Sequence, residues 1–130
     1  MSEQATLFPA LKYDDAPAAV AWLQKAFGFA EHAVHKGPDG GIAHAEMKFG
    51  NAMIMFGSTG KPDPANPWST ERMGIYMHVP DIDAHYARAK AAGAEIVRPL
   101  ADTSYGAREY SARDAGGHLW SFGTYDPWTA

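Results

Sequence analysis

Cysteine is absent from the 130 residues of this chain. A disulfide framework, a thiolate metal site and a cysteine nucleophile are therefore excluded, and nothing indicates an oxidising compartment. No stretch approaches the ~20 apolar residues of a membrane-spanning helix, and the polar, acidic start differs from a signal peptide. We therefore expect a cytoplasmic protein that has no membrane partner.

Clustered positive charge is missing as well. The formal net charge is −4, and the lysines and arginines are scattered singly along the chain. Because binding to a phosphate backbone depends on a basic patch, nucleic acid is not an expected partner. A chain of this length suits one compact domain with a core of its own, and we assign residues 1–130 to a single domain.

The predicted elements occur in the same order twice. Asp15 and Gly28 bound one amphipathic helix as its N-cap and its left-handed stop, and Asp81 and Gly93 bound a second. Strands are predicted at residues 6–13, 31–36, 42–49 and 52–56, and again at 73–79, 95–100, 108–113 and 118–125. This order predicts two βαβββ modules, residues 5–57 and 72–125, joined by a linker at 58–71. Two similar half-sheets side by side form a cleft, where small molecules typically bind.

Several motifs carry a family resemblance that spans nearly the whole chain. They are Val79-Pro80-Asp81, Ala92-Gly93-Ala94 and the run from Arg113 to Trp120 (RDAGGHLW). Together with the repeated βαβββ order they closely resemble the vicinal oxygen chelate superfamily, which includes glyoxalase, extradiol dioxygenases and bleomycin resistance proteins. The segment from Gly117 to Tyr125 (GHLWSFGTY) is most similar to the small bleomycin-resistance-like members. The family's Asp-Pro-x-Gly turn reads Asp114-Ala115-Gly116-Gly117 here, a departure that affects only a turn.

The resemblance implies an α+β fold in which the two modules form a curved mixed sheet around a cleft. In the bleomycin resistance proteins this cleft lies between two chains, so the resemblance also implies a homodimer. Metal-dependent members take one ligand from each of four strands, and those positions fall on or near Phe8, Met55, Gly74 and Ser121. A phenyl ring, a thioether, a missing side chain and a neutral hydroxyl are poor ligands for a divalent cation. We therefore expect no metal and no cofactor.

Strand parity then predicts a binding site. If Gly74 faces the cleft, Tyr76 and His78 face it too, because alternate residues of a strand share a face. Trp68 of the linker is the residue able to cover an apolar pocket, and Tyr105 lies in a loop opposite the linker. The predicted ligand-binding residues are Phe8, Met53, Met55, Trp68, Tyr76, His78, Tyr105 and Ser121, and no catalytic residue is assigned. That these side chains only fill a core between the half-sheets remains an alternative.

Other histidines offer no evident metal site. His32 and His35 are three residues apart, a spacing that sends their side chains to opposite faces of a strand. We therefore expect that they do not chelate together.

The first functional hypothesis is a metal-free protein that resembles the bleomycin resistance proteins. It would sequester an aromatic or hydrophobic small molecule between aromatic walls, a function connected with antibiotic resistance. The alternative is a lyase, isomerase or dioxygenase of the same superfamily. Such an enzyme would be metal-dependent or would use Tyr76 or His78 as acid or base.

Overall fold

The computed structural model describes residues 3–115 and 117–129. Gly116, one residue of the turn in the family motif, lies outside them, as do the first two residues of the polar start. The first module contains β1 (Leu7–Tyr13), α1 (Ala16–Phe27), β2 (Ala30–Lys36), β3 (Ile42–Phe49) and β4 (Ala52–Ser58). The second contains β5 (Met73–His78), α2 (Ile82–Ala91), β6 (Glu95–Asp102), β7 (Arg108–Arg113) and β8 (Leu119–Gly123).

The eight strands form one mixed sheet in the order β2-β3-β4-β1-β5-β8-β7-β6. β1 is parallel to β4 and β5 is parallel to β8, so each module closes on its own first strand. An antiparallel pairing of β1 with β5, in which Ala10 lies opposite Gly74, joins the modules at the centre of the sheet. The predicted α+β fold with two βαβββ modules in a curved mixed sheet is confirmed.

Both helices begin where the sequence predicts. The Asp15 carboxylate accepts a hydrogen bond from the Ala18 amide at 3.1 Å, and Asp81 serves α2 in the same way through the Ala84 amide at 3.4 Å. Gly28 ends α1 with a φ of 77°, a left-handed conformation that other residues rarely adopt. The positions of these helix ends are therefore set by capping residues that are close in the sequence.

The helices cover one face of the sheet and leave the other to the cleft. Leu23 of α1 packs with Met47 and Phe56, and Ile82 of α2 packs with Tyr110. Side chains alternate along a strand, so the residue next to each of these core positions points to the opposite face. Glu46 beside Met47 and Ser111 beside Tyr110 are examples. The functional groups of the cleft therefore come from the strand positions between the core positions.

The linker is not fully irregular. Its second half forms a short 3-10 helix, Pro67–Thr70, in which the Asn66 side chain accepts from the Trp68 amide at 3.1 Å. This turn brings Trp68 to the cleft. Within residues 3–115 and 117–129, neither helix has the length and apolar character needed to cross a lipid bilayer.

Candidate functional site

The face away from the helices holds a cavity of about 520 Å³. Its walls come from both modules of the same chain, with strands β1, β3 and β4 on one side and β5, β7 and β8 on the other. The side chains most relevant to binding are His44, Met55, Trp68, Tyr76, Tyr105, Glu109, Ser121 and Tyr125. The volume and the mixture of aromatic and polar groups are typical of a small-molecule site.

Trp68 is held in the cavity by a glycine and a serine. A Cβ atom at Gly74 would lie 2.2 Å from Cη2 of the indole, so the ring occupies space that only a glycine leaves open. The indole Nε1 donates a hydrogen bond to Ser121 Oγ at 3.1 Å. Ser121 Oγ also lies 2.5 Å from Ser111 Oγ. The linker tryptophan is therefore anchored at a defined position in the wall.

The positions that hold a metal ion in metal-dependent members do not fit one here. Phe8 and Met55 are buried hydrophobic residues, and Gly74 lies against the Trp68 indole. The hydroxyl of Ser121, the remaining position, is already bonded to Trp68 and Ser111. In the part of the chain that the structure describes, no group of three histidine or acidic side chains is placed to hold a metal ion. The donor set is therefore unsuitable for a divalent cation.

The predicted site residues fall into three groups. Met55, Trp68, Tyr76, Tyr105 and Ser121 all line the cavity. Phe8 and Met53 lie below the cavity wall, 0% and 1% exposed, in a core cluster that includes Tyr76. Phe8 and Met53 therefore fill the core between the half-sheets, as the alternative to the predicted binding role describes. His78 is not among the lining residues, although its strand reaches the cavity at Tyr76.

Tyr76 and Tyr105 of the cavity each donate a hydrogen bond through the side-chain hydroxyl. The Tyr76 hydroxyl donates to the carbonyl oxygen of Tyr125 at 2.6 Å, and the Tyr105 hydroxyl donates to Glu109 Oε2 at 2.6 Å. Burial raises the pKa of Tyr76 well above its usual range, and burial followed by the Glu109 contact does the same for the pKa of Tyr105. Both hydroxyls therefore stay protonated at neutral pH, which disfavours Tyr76 as a base.

A buried carboxylate that sequence reasoning did not identify lies beside the cavity. Glu46 is 0% exposed, and its Oε2 lies 2.8 Å from His44 Nε2, within hydrogen-bonding distance. The Tyr125 hydroxyl, from the segment after β8, also donates to this oxygen. Glu46 Oε1 has no hydrogen-bond partner in the described residues. The available signal was the alternation along β3, which places His44 and Glu46 on the same face of the strand.

The prediction that His32 and His35 point to opposite faces is wrong. His32 Nε2 lies 4.0 Å from Glu46 Oε1, and the His35 ring stacks on the His44 ring with centroids 6.3 Å apart, so both reach the cavity side. The cause is an irregularity in the pairing of β2 with β3 between Glu31 and Ala33, which shifts the alternation of side chains at His32.

A model of the Glyoxalase/Bleomycin resistance protein/Dioxygenase superfamily matches residues 8–122. The chain belongs to this superfamily. Among curated relatives, the uncharacterized protein Rv0887c of Mycobacterium tuberculosis is 32% identical over 126 residues, covering 92% of this chain and 74% of the relative. The resemblance inferred from the sequence motifs is thereby confirmed.

Solved structures of this superfamily share the fold. A superfamily member from Vibrio splendidus 12B01 matches with a TM-score of 0.69 and 18% identity, covering 90% of this chain and 96% of that one. A variant of Streptomyces coelicolor methylmalonyl-CoA epimerase in complex with 2-nitronate-propionyl-CoA matches with a TM-score of 0.69 and 18% identity, covering 94% of each chain. At this identity the likeness shows the fold alone, and the superfamily fold therefore includes both this chain and an enzyme.

Proposed function

We propose that this superfamily member binds a small planar aromatic molecule in its cavity without using a metal ion. The observation that carries the proposal is the position of Trp68, whose indole lies against Gly74 and is bonded to Ser121. Gly74 and Ser121, two of the four positions that would supply metal ligands, therefore hold the Trp68 indole in place. An anchored indole offers a stacking surface that is ordered before the guest arrives, which lowers the entropic cost of binding.

The rest of the wall supports the same chemistry. Tyr105 is 61% exposed at the cavity and its orientation is fixed by the bond to Glu109, so it offers a second aromatic surface. Met55 adds a polarizable apolar contact, and sulfur next to an aromatic ring is favourable. A cavity of about 520 Å³ accommodates a guest of one or two fused rings.

Native mass spectrometry against a panel of aromatic antibiotics and cell extracts identifies guests, and calorimetry then gives their affinities. Trp68→Ala should weaken binding by about 1–3 kcal/mol because one stacking surface is lost. The matched control is Trp22→Ala, since Trp22 is also partly exposed at 54% but lies on α1 outside the cavity. Unchanged affinity in the Trp68 variant would remove the aromatic-wall model. Tyr76→Ala is unsuitable, because Tyr76 is 5% exposed and packs on Phe8.

A metal-dependent lyase, isomerase or dioxygenase is the competing function. Elemental analysis of protein purified without chelator separates the two, and we expect zinc, nickel, iron and manganese well below one equivalent per chain. A stoichiometric transition metal that is lost in a Ser121→Ala variant would favour the enzyme.

We also propose that the protein forms a homodimer. Its role would be in antibiotic resistance, and its location the cytoplasm. Leu7 and Met73 support self-association, because they are 44% and 64% exposed on the face opposite Phe8 and Gly74. Light scattering after size exclusion tests this, and a monomer at micromolar concentration would count against it.

A further inference from the structure

We propose that the His44–Glu46 pair accepts a proton from an acidic hydroxyl group of the aromatic guest, so that the guest is bound as its anion. Because the guest must first enter the aromatic cavity, this role of His44 rests on the proposed function. It goes beyond that function by defining the chemical class of the guest as a hydroxylated aromatic. It also replaces Tyr76 and His78 with a different proton-accepting group.

Proton acceptance by His44 depends on the buried carboxylate of Glu46. Its side chain is 0% exposed, and Oε1 has no hydrogen-bond partner in the described residues. A carboxylate removed from water is costly unless positive charge or several donors surround it. His44 and Tyr125 both contact Oε2, which leaves Oε1 without a hydrogen bond from the described residues. A protonated imidazole at this distance would form a close ion pair with the Glu46 carboxylate.

His44 is the imidazole that can take this charge from a guest. Its side chain is 37% exposed and lines the cavity, while its Nε2 lies 2.8 Å from Glu46 Oε2. An Nε2–H that donates to the carboxylate leaves a lone pair on Nδ1, which has no hydrogen-bond partner in the described part of the chain. A carboxylate that fixes the tautomer of an imidazole and stabilises its protonated form is a common device for proton acceptance.

Of the two histidines that line the cavity in the described part of the chain, His44 is the one that contacts a carboxylate. His32 faces Oε1 of the same carboxylate at 4.0 Å, and His35 stacks on His44 without a carboxylate of its own among the described contacts. Burial, followed by the hydrogen bond to Glu46, raises the pKa of Tyr125, which therefore remains a donor. The other ionisable side chains that line the cavity are Lys12, Tyr76, Arg98, Tyr105 and Glu109.

The proton balance of the step is simple. The O–H bond of the guest breaks, its proton moves to Nδ1 of His44, and the electron pair stays on the guest oxygen. The products are an aromatic oxyanion and an imidazolium whose Nε2–H remains on Glu46. Opposite charges within ~4–6 Å stabilise each other and shift an acid by about 1–3 pKa units, which sets the expected size of the effect.

A matched pair of probes tests this directly. 4-Nitrophenol carries the acidic hydroxyl and absorbs visible light only when ionised, whereas 4-nitroanisole has the same ring without the proton. We expect the ionisation midpoint of protein-bound nitrophenol to lie about 1–3 pH units below that of free nitrophenol. Glu46→Gln should remove most of this shift and His44→Gln all of it. His118→Gln should leave the shift intact, since His118 is 76% exposed and bonds to Asp114 away from the cavity.

The outcomes distinguish the two proposals. If nitroanisole and nitrophenol bind but the midpoint of bound nitrophenol equals that of the free compound, the role of His44 is refuted and aromatic binding stands. If neither compound binds, both proposals are contradicted for this class of guest. Nitrogen-15 NMR of the histidine rings provides a second measurement, because wild-type His44 should carry its neutral-state proton on Nε2 and the Glu46→Gln variant should lose that preference. A proton found on Nδ1 in the wild type would also overturn the proposal.

Discussion

Gly74→Ala is the most informative perturbation, because it adds one methyl group beneath the Trp68 ring. The new Cβ would lie 2.2 Å from Cη2 and 2.4 Å from Cζ3 of the indole. Ordinary contact between carbon atoms requires about 3.5–4.0 Å, so the ring must retreat by more than about 1 Å. The bond from Nε1 to Ser121, now 3.1 Å, then exceeds hydrogen-bonding distance.

Two losses follow from that displacement. A lost hydrogen bond costs about 0.5–1.5 kcal/mol of folding stability, which urea denaturation measures. A misplaced stacking surface costs about 1–3 kcal/mol of binding, or roughly 5- to 150-fold in the dissociation constant of a planar aromatic compound by calorimetry. Gly60→Ala is the matched control, since no atom lies within 4 Å of its added Cβ. Affinities within twofold of wild type in both variants would refute the assigned role of Trp68.

Further perturbations test other parts of the account. Met53→Ala, at a position 1% exposed, should lower the free energy of unfolding by about 2–5 kcal/mol; a loss below 1 kcal/mol in urea denaturation would exclude it from the core. Tyr105→Ala should weaken aromatic binding by about 1–3 kcal/mol in calorimetry while the urea midpoint barely moves, because this side chain is 61% exposed. Burial, followed by the charge of Arg88, lowers the pKa of His85 from its ordinary value of 6.5, so the unfolded chain takes up the proton first. Stability should therefore fall as the pH decreases through 6.5 and level off below the folded-state pKa, and His85→Gln should reduce this slope. An identical slope in both proteins would contradict that assignment.

The helix boundaries and the module order could be predicted from sequence because they depend on local chemistry. Asp15 and Asp81 each bond to an amide three residues on, and the glycine after α1 has the positive φ that its type allows. The sequence also predicts Trp68 at the pocket, because it is the linker residue able to cover an apolar surface. The missing side chain at Gly74 was a signal of close approach, but the sequence does not say that an indole fills the space.

The carboxylate site could not be predicted because it depends on contacts between distant residues. Tyr125 and Glu46 are 79 residues apart and meet only when the end of the second module crosses to β3. Glu46 lies on the same face of β3 as His44, and its carboxylate is buried although acidic side chains are mostly exposed in proteins. The expectation that His32 and His35 point to opposite faces is wrong because the irregular strand pairing at His32 is invisible in the spacing of residues.

Calorimetric titration of 4-nitroanisole, before and after dialysis of the same protein against EDTA, tests metal-independent aromatic binding most directly. The dissociation constant should agree within about twofold between the two samples, because stacking on Trp68 and Tyr105 needs no ion. Binding that disappears on chelation and returns when a divalent transition metal is added back would contradict the account.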